Sequence, residues 1–462
     1  MSAPRPQGGL LSRLLTLLFS RYLLAVGAQA FVSGFHFALN LVLLRLVSPH
    51  DYGVFAFAFV LAISASAINN ALVATPLTVY TPVIADPHHR RRQEGMFASA
   101  NLLLLGAFVV GGAAWALVSE VAGGTGFGVT LFVAAYTARQ YSRNVSYARL
   151  RPLVVAASDL AYASAGAVLV ALLYLWKGAL PIDHVLVAVA LANGVAMAIE
   201  RTLLNRSDPG ARARAFGPLA GYARIWRESS AWALVGALTT MFLGQAHSFI
   251  VTATHGPGAF APLAAGFVLF GPVRVALMTW QNMVKPELAV ELAAGHVEQV
   301  RTRIRATTWR MAAAVAALGL ALAVGWPWIH GFLYARSYAD QPMALIVGLW
   351  CLITLASSTY NAPSAALQAL TEFRVLAIAS IWGALASGVL VALVLWLYSA
   401  PVTLFGILAA EIFMALWLTR VLHRALESRA SRGRATGAPE TAASASPADA
   451  GPDAARLAGA AP

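Results

Sequence analysis

Charged residues are scarce in this chain. They make up 11% of its 462 residues, and hydrophobic residues make up 59%, whereas a soluble globular protein carries about 25% charged residues. The one cysteine, Cys351, lies in an apolar stretch, so a disulfide framework within the chain is excluded. These deficits indicate a protein that passes most of its length through lipid rather than water.

Motifs for several kinds of chemistry are missing as well. The sequence contains no G-x-x-x-x-G-K-[ST] motif for ATP and no D-x-D or paired histidines at metal-ligand spacing. Adjacent His88 and His89 are interpreted as loop residues, and the glycine-rich stretch 123–128 as a turn between two apolar segments. We therefore predict that the protein has no metal site and no resident cofactor, and that it is not an enzyme.

Long apolar stretches are what the sequence has in abundance, and each is long enough to cross a bilayer with about 20 residues. The first follows Arg21 and is too long for the core of a cleaved signal peptide, so it is interpreted as a retained span. We predict twelve spanning helices, at 22–47, 54–84, 95–118, 127–148, 152–176, 184–204, 229–253, 262–284, 307–333, 342–366, 375–398 and 403–421.

The basic residues fall in alternate gaps between these stretches. Of the 32 lysines and arginines, 28 lie on one side, only Arg45, Lys177 and Arg336 lie in the opposite gaps, and Arg274 lies inside a span. Cytoplasmic loops of membrane proteins carry this excess of basic residues. The pattern predicts a multi-pass membrane protein with both ends in the cytoplasm. It also explains the net charge of +13 by contact with anionic membrane lipid, without a nucleic-acid partner.

The longest polar gap divides the spans six and six. We predict a cytoplasmic N-terminal segment (1–21), an N-lobe (22–204), a basic cytoplasmic linker (205–228), a C-lobe (229–421) and a disordered cytoplasmic tail (428–462). Within the C-lobe, residues 286–306 show apolar residues at helical spacing beside arginines, which predicts an amphipathic helix on the cytoplasmic surface. The alternative is that this segment is a solvated extension of the eighth span.

A faint internal repeat relates the two lobes. Gly53-Val-Phe-Ala matches Gly258-Ala-Phe-Ala at an offset of 205 residues. The same offset pairs Asn40 with Gln245 and Asn69 with Arg274. Because six spans are an even number, both lobes would point the same way and be related by an axis along the membrane normal.

Arg274 is the sharpest candidate for a binding residue. It lies near the middle of the eighth predicted span, just after Gly271-Pro272, and its guanidinium is a fixed cation with donors suited to phosphate or carboxylate. Intramembrane charges are costly and usually face a cavity or a partner. We therefore predict that Arg274 captures an anionic group of the substrate in a central cavity. The alternative is a structural pair with Glu411 or Asp159.

Other polar residues could line the same cavity. Gln29, His36 and Asn40 share one face of the first span, with Arg45 slightly rotated from it. Gln245 and His247 lie in the seventh span, and Asn69 lies in the second. For all of these, the alternative is ordinary hydrogen bonding between helices.

Two intramembrane carboxylates are candidates for ion coupling. Asp159 lies near the cytoplasmic third of the fifth span, and Glu411 lies midway along the last. Either could relay a proton or a sodium ion. Asp159 could equally neutralise Arg139 or Arg143 on the preceding span, and Glu411 could equally form a structural pair.

The stretch Leu44-Arg-Leu-Val-Ser-Pro-His-Asp-Tyr-Gly-Val-Phe-Ala56 resembles a signature of Wzx-type polysaccharide flippases. These belong to the multidrug/oligosaccharidyl-lipid/polysaccharide exporter (MOP) superfamily, which also contains the MATE drug antiporters. Two further stretches agree with that group, Tyr147–Arg151 followed by Asp159, and Gly271–Arg274 followed by Lys285-Pro286. The six-plus-six layout covers about residues 15–425.

This resemblance implies an all-α, MATE-like fold with two six-helix lobes around a V-shaped cleft. It implies a flippase that moves undecaprenyl-diphosphate-linked oligosaccharides across the inner membrane for exopolysaccharide, lipopolysaccharide O-antigen or capsule. Arg274 and Arg45 would attract the diphosphate. Coupling to protons or sodium ions is expected, as is association with a polysaccharide polymerase and a chain-length regulator. The alternatives are a MATE-type drug or metabolite antiporter, which needs a titrating carboxylate in the cleft, and a membrane-embedded glycan enzyme, which usually has a large outer loop.

Overall fold

A computed structural model describes residues 21–81, 84, 86–118, 125–207, 216–370 and 372–435. Within these residues the chain is helical and contains no strand, and twelve helices have more than 20 residues. In chain order they are α1 (Arg21–Leu46), α2 (Pro49–Asn69), α3 (Pro87–Val118), α4 (Gly126–Ala148), α5 (Pro152–Lys177), α6 (Ile182–Ser207), α7 (Ala231–Val268), α8 (Gly271–Ala293), α9 (Val297–Val324), α10 (Met343–Ala369), α11 (Phe373–Leu397) and α12 (Thr403–Ala435). The predicted all-α class is confirmed.

Ten segments of the described residues are long and apolar enough to cross a membrane. The more polar helices α4 and α8 are not among them, because α4 carries Arg139 and Arg143 and α8 carries Arg274 and Lys285. Both nevertheless pack inside the bundle, α4 against α6 and α8 against α10. The protein is therefore a multi-pass membrane protein in which two helices are too polar to be recognised by hydropathy alone.

The helices pack as two groups of six. In the first group α1 packs on α5, α5 on α6, and α4 on α2, α3 and α6; in the second α7 packs on α11, α11 on α12, and α10 on α8, α9 and α12. We keep the names N-lobe and C-lobe for these groups. Helix α2 lies along α7 and forms the largest contact between the lobes. The buried rings of Phe55 and Phe260 belong to one apolar core that crosses this contact.

The turn from α1 to α2 explains why the signature has its particular residues. Ser48 caps α2, since its hydroxyl accepts a hydrogen bond from the backbone N–H of Asp51 at 3.1 Å. Pro49 occupies the first helical position, where its fixed φ and missing N–H cause no loss. Tyr52 and Gly53 follow one turn into the helix and are buried. The sequence therefore ends one span and starts the next within two residues.

The corresponding turn in the C-lobe is a single break within α7. Gly256 has φ 81° and ψ 171°, a conformation that side-chain-bearing residues rarely adopt, and Pro257 restarts the helix after it. One arm of α7 thus runs from Ala231 to this break. The other arm continues through a short turn at 269–270 into α8.

The prediction of a separate amphipathic surface helix at 286–306 is wrong. Helix α8 continues to Ala293, Gly295 turns the chain with φ 81°, and α9 begins at Val297. Leu288 and Val300, which belong to the predicted apolar stripe, are buried in the C-lobe core. The segment therefore consists of the ends of two bundle helices, because its apolar face packs against protein rather than lipid. This is closer to the alternative of an extended eighth span.

The polar linker is partly attached to the N-lobe. Helix α6 extends to Ser207, residues 208–215 lie outside the described residues, and residues 219–230 form short helical turns. Ser99 donates a hydrogen bond to the carbonyl of Gly217 at 2.9 Å, and Tyr222 donates one to the carbonyl of Leu72 at 2.8 Å. These contacts fix the second half of the linker to the N-lobe.

The two ends of the chain were predicted to lie outside the membrane. Residues 1–20 and 436–462 are outside the described residues, so most of the predicted N-terminal segment and tail cannot be compared. Helix α12, however, continues to Ala435, past Ser428 where the disordered tail was predicted to begin. The arginines of its last turns had masked that continuation, because they interrupt the apolar pattern.

Candidate functional site

A buried ion cluster lies inside the N-lobe. It consists of Arg139 and Arg143 on α4, one turn apart, and Asp159 on α5. Arg139 donates to one carboxylate oxygen of Asp159 and Arg143 donates to the other at 3.0 Å. The side chains of Arg139 and Asp159 are 1% and 2% exposed. Sequence analysis gave this pairing as the alternative to an ion-relay role for Asp159. The structure contains the pairing.

The cluster extends to α1 through two of the predicted cavity residues. Arg143 also donates to the amide oxygen of Gln29 at 2.9 Å, and Gln29 is exposed. The guanidinium of Arg139 stacks on the ring of Tyr162 at 4.1 Å, and the hydroxyl of Tyr162 lies 2.8 Å from Nε2 of His36. Gln29 and His36 therefore belong to one polar network with the ion cluster.

Two arginines and one aspartate give this network a formal charge of +1. Both carboxylate oxygens of Asp159 are occupied by guanidinium groups, while the Nε atoms of Arg139 and Arg143 have no hydrogen-bond partner in the described part of the chain. These Nε donors are buried, so an anionic group would meet the network at the side chain of Arg143, which is 15% exposed. The role of Asp159 in ion coupling stays a prediction.

We expect Asp159→Asn to destabilise the protein strongly. The substitution leaves two guanidinium groups without their anion in the N-lobe, and breaking a buried ion pair from one side costs about 3–5 kcal/mol. Thermal unfolding of purified protein in detergent measures this, and the melting temperature should fall. The double variant Asp159→Asn/Arg139→Gln should regain part of the loss, because it removes one of the unpaired cations.

A different outcome would separate pairing from relay. If Asp159→Asn melts at the wild-type temperature but no longer transports, the carboxylate serves coupling rather than structure, and the structural interpretation fails. Asp183→Asn is a matched control, because Asp183 is a carboxylate of α6 whose side chain is 45% exposed. Its removal should leave the melting temperature nearly unchanged.

Arg274 in the C-lobe has a different environment. Its guanidinium stacks on the ring of Phe267 at 4.5 Å. Glu411 on α12 is close enough to attract the Arg274 guanidinium. However, no carboxylate of the described residues forms an ion pair with Arg274. Glu411 instead accepts a hydrogen bond from Tyr360 at 2.7 Å and is buried. The structural alternative of a direct Arg274–Glu411 pair is therefore not formed.

Arg274 lies deep in the helix bundle, but its side chain is accessible. It is about halfway between Pro257, where the helix restarts, and Ala293, where α8 ends. Glu411 of α12 lies near it, yet the Arg274 side chain is exposed. A lipid-facing arginine at this depth would be very costly. The exposed side of Arg274 is therefore expected to face a polar cavity.

The α7 candidates lie near Arg274 but are turned into the lobe. His247 is buried, its ring is 5.3 Å from that of Trp350, and its Nε2 lies 3.2 Å from the hydroxyl of Ser248. Ser248 donates a hydrogen bond to Gln245 at 3.0 Å. Gln245 is half-buried. These residues form a small polar patch beside the Arg274 region.

Asn40 and Asn69 have hydrogen-bond partners within the N-lobe. Asn40 donates to the carbonyl of His36 at 2.8 Å and accepts from Tyr52 at 3.2 Å. Asn69 is buried and donates to the side chain of Asn101 at 2.7 Å. It directly precedes the π-helical turn Asn70–Ala74. For both residues the geometry is that of the alternative, hydrogen bonding between or within helices.

Arg45 lies at the end of α1 that faces away from most of the basic loops. Its guanidinium stacks on the ring of Phe332 of the C-lobe at 4.2 Å. Nearby, Tyr52 of the N-lobe is close to Tyr334 and Tyr338 of the C-lobe, and all three are buried. Arg45 is therefore not grouped with Arg274 and instead joins the two lobes at one end of the bundle.

A tight approach between the lobes lies at the same end. A Cβ atom added to Gly53 would lie 2.0 Å from the carbonyl oxygen of Pro257. In the reciprocal direction, a Cβ atom added to Gly258 would lie 4.0 Å from Cα of His50. The two glycines of the predicted repeat thus face the turn of the opposite lobe. We call this region, Arg45 to Gly53 with Pro257, Gly258 and 332–338, the interlobe seal.

Sequence reasoning named Arg139 and Arg143 only as neighbours of Asp159 and did not place them in a site. The signal was present, since two arginines one turn apart in a predicted span need anions or an aqueous cavity. Tyr162 and Tyr360, which contact the cluster and Glu411, carried no signal, because tyrosine is common in membrane helices.

No protein-family model matches the chain. In sequence, the chain is 24% identical over 389 residues to the EPS I polysaccharide export inner membrane protein EpsE of Ralstonia nicotianae. The match covers 77% of this chain and 82% of that protein.

Several solved structures have a similar fold. An inward-facing MATE-family multidrug resistance transporter of the MOP superfamily matches with a TM-score of 0.67 at 14% identity, over 90% of this chain and 100% of that one. The lipid II flippase MurJ in an inward closed conformation matches with a TM-score of 0.64 at 11% identity, over 89% and 91%. The resemblance predicted from the sequence is confirmed, and the chain has a MATE-like fold.

Proposed function

We propose that the protein is a flippase that moves a diphosphate-linked lipid oligosaccharide across the inner membrane for the synthesis of a surface polysaccharide. The observation that carries this proposal is Arg274, an accessible cation in the middle of the bundle with no ion-paired carboxylate among the described residues. A diphosphate is a compact anion, and the planar guanidinium is well suited to it. The polysaccharide export protein from Ralstonia supports the substrate class.

Both lobes contribute positive charge toward a common cleft in this proposal. Helix α1, which carries Gln29, contacts α8, which carries Arg274, across the lobe boundary. Gln29 is bonded to Arg143 of the cationic network in the N-lobe. An anion between the lobes would therefore meet Arg274 from one side and the Arg143–Gln29 edge from the other.

The interlobe seal supports an alternating-access cycle. With the basic loops in the cytoplasm, as the positive-inside rule predicts, the seal lies at the periplasmic end and closes the cleft on that side. The likeness to an inward-facing MATE transporter agrees with this assignment. The glycan would enter from the cytoplasm, the lobes would rock, and the polyprenyl tail would stay in the bilayer.

The finer parts of the proposal rest on the resemblance. The relative's name favours exopolysaccharide as the product, with O-antigen or capsule as related outcomes. A polymerase and a chain-length regulator remain the expected partners. For coupling by protons or sodium ions, Glu411 is the better placed candidate, because it is buried near Arg274 and its carboxylate accepts a hydrogen bond from Tyr360.

Arg274→Ala should reduce flipping by about tenfold to a hundredfold, since hydrogen bonds to charged groups contribute about 1.5–3 kcal/mol. The measurement is made in a strain lacking the gene and any redundant flippase. Surface polysaccharide and lipid-linked repeat units on the cytoplasmic face are quantified after complementation with wild type or variant at equal membrane abundance. The variant should lose polymer and accumulate repeat units.

Two further variants serve as comparisons in this experiment. Arg374→Ala removes an exposed arginine from the start of α11 and should behave as wild type. Arg274→Lys keeps the charge but loses the fork of donors, so it should retain an intermediate rate. Normal polymer in the uncomplemented strain would overturn the flippase proposal and favour a MATE-type antiporter, in which Glu411 would be the titrating carboxylate.

A further inference from the structure

A groove with a volume of about 580 Å³ opens between α8 and α9, away from the cleft candidates. Trp280 and Val284 of α8 form one wall. The other wall is a stripe of α9, made of Glu298, Gln299, Thr302, Arg303, Ala306, Thr307 and Arg310. None of these residues belongs to the site proposed above.

The hollow exists because of a small residue between two large cations. Arg303 and Arg310 are seven residues apart, which is two helical turns and about 10 Å along one face. Ala306 lies between them on the same stripe. Its methyl group is the smallest side chain that lines the groove.

The α8 wall of the groove is apolar, formed by Trp280 and Val284. Leu277, Met311 and Val315 are buried in one cluster against which Trp280 packs. The groove therefore has polar groups on its α9 wall and apolar side chains on its α8 wall. Such a division suits a molecule with a charged head and an apolar remainder.

The charges around the groove leave an excess of cations. Arg303 donates to Glu291, and Arg301 pairs with Glu298 at 3.1 Å. Arg310 is exposed, and in the described part of the chain it has no carboxylate within ion-pair distance. Arg310 is thus the cation that is available to a bound anion.

Tryptophan places the groove at the depth of lipid head groups. Trp309, next to Arg310, is 68% exposed, and tryptophan is enriched where hydrocarbon meets water. Farther along α9, Leu320 and Val324 are also exposed, as lipid-facing residues are. The groove therefore opens where the phosphate of a bilayer lipid would lie.

We propose that this groove binds the phosphate head group of an anionic phospholipid from the surrounding bilayer. The phosphate lies between Arg303 and Arg310, Gln299 and Thr302 hydrogen-bond to the polar head, and the acyl chains follow the apolar face of α9. This inference rests on the groove alone and not on the proposed function, so either can fail without the other.

Native mass spectrometry of the detergent-purified full chain tests the site, with dioleoylphosphatidylglycerol as the probe and dioleoylphosphatidylcholine as the neutral comparison. Wild type should prefer the anionic lipid. Arg310→Gln should weaken its binding about tenfold, since it removes a charge-assisted contact. Ala306→Leu should weaken it similarly by filling the hollow.

Arg305→Gln is the matched control, because Arg305 is an exposed arginine of α9 outside the groove lining. It removes the same charge and should change binding less than twofold. Equal losses in Arg305→Gln and Arg310→Gln would overturn the site in favour of diffuse attraction, as would wild-type binding by both groove variants. A parallel titration with undecaprenyl diphosphate distinguishes the source of the phosphate. Binding of that lipid but not of phosphatidylglycerol would overturn the assignment to a bilayer phospholipid.

Discussion

His50→Cys/Gly258→Cys is expected to abolish transport once the two cysteines form a disulfide. A Cβ atom at position 258 would lie 4.0 Å from Cα of His50, which is compatible with the short Cα–Cα separations that disulfides require. The bond would tie the two lobes together across the interlobe seal. Since alternating access requires these ends to separate, the cross-linked protein should be trapped in one state.

The experiment is clean because the chain has one native cysteine. Cys351 is half-buried in α10 and is replaced by alanine in every variant. Transport should fall to background on oxidation and return with a membrane-permeant reductant, while each single-cysteine variant stays active. Spontaneous cross-linking in cells would also place the seal in the oxidising periplasm. If a fully cross-linked protein transports normally, the seal does not open during the cycle and the assigned mechanism is wrong.

Gly53→Ala should have the second largest effect, through the same contact. The new methyl group would lie 2.0 Å from the carbonyl oxygen of Pro257 and 2.5 Å from its carbonyl carbon, so the backbones of α2 and α7 must move apart. Overpacking of this kind costs about 1–3 kcal/mol or more. The cost applies only while the seal is closed, so the closed state should lose population by about tenfold to a hundredfold.

Gly258→Ala is the control that the chain itself provides. Its methyl group would meet only Cα of His50, at an ordinary contact distance of 4.0 Å. It should therefore leave transport and seal closure unchanged, although it is the same substitution at the corresponding position of the other lobe. The rate at which a membrane-impermeant thiol reagent labels Tyr338→Cys, a position buried in the closed seal, reports seal opening for both variants. Equal rates in Gly53→Ala and wild type would contradict the tight contact at Gly53.

The fold was predictable because its determinants are local or additive. Helix length, the one-sided distribution of arginine and the Ser48-Pro49 start of α2 each depend on near neighbours in sequence. The polarity of α4 was visible too, but sequence alone could not decide whether Arg139 leaves the membrane or is paired. The deciding fact is the position of Asp159 on the next helix, which only packing determines.

The prediction of a surface helix at 286–306 was wrong for a related reason. Apolar residues at helical spacing beside arginines describe a helix lying on lipid and a helix end packed on protein equally well. The choice depends on what covers Leu288 and Val300, and in this fold the C-lobe core covers them. Similarly, Arg274 was predicted to face either a carboxylate or a cavity, and the bond between Glu411 and Tyr360 could not be read from spacing.

The linker attachment described above gives the molecule a lever. Ser230, at the start of α7, donates to the carbonyl of Leu72 at 3.3 Å, so the N-lobe holds the near end of this helix. The 25 residues from Ala231 to the break at Gly256 span about 38 Å. If α7 pivots at Ser230 by ~6°, its other end at Gly256 moves by about 4 Å. This displacement is larger than the 2.0 Å that would separate a Cβ atom at Gly53 from the carbonyl oxygen of Pro257. A small rotation of α7 at the linker is therefore enough to separate the lobes at the opposite end.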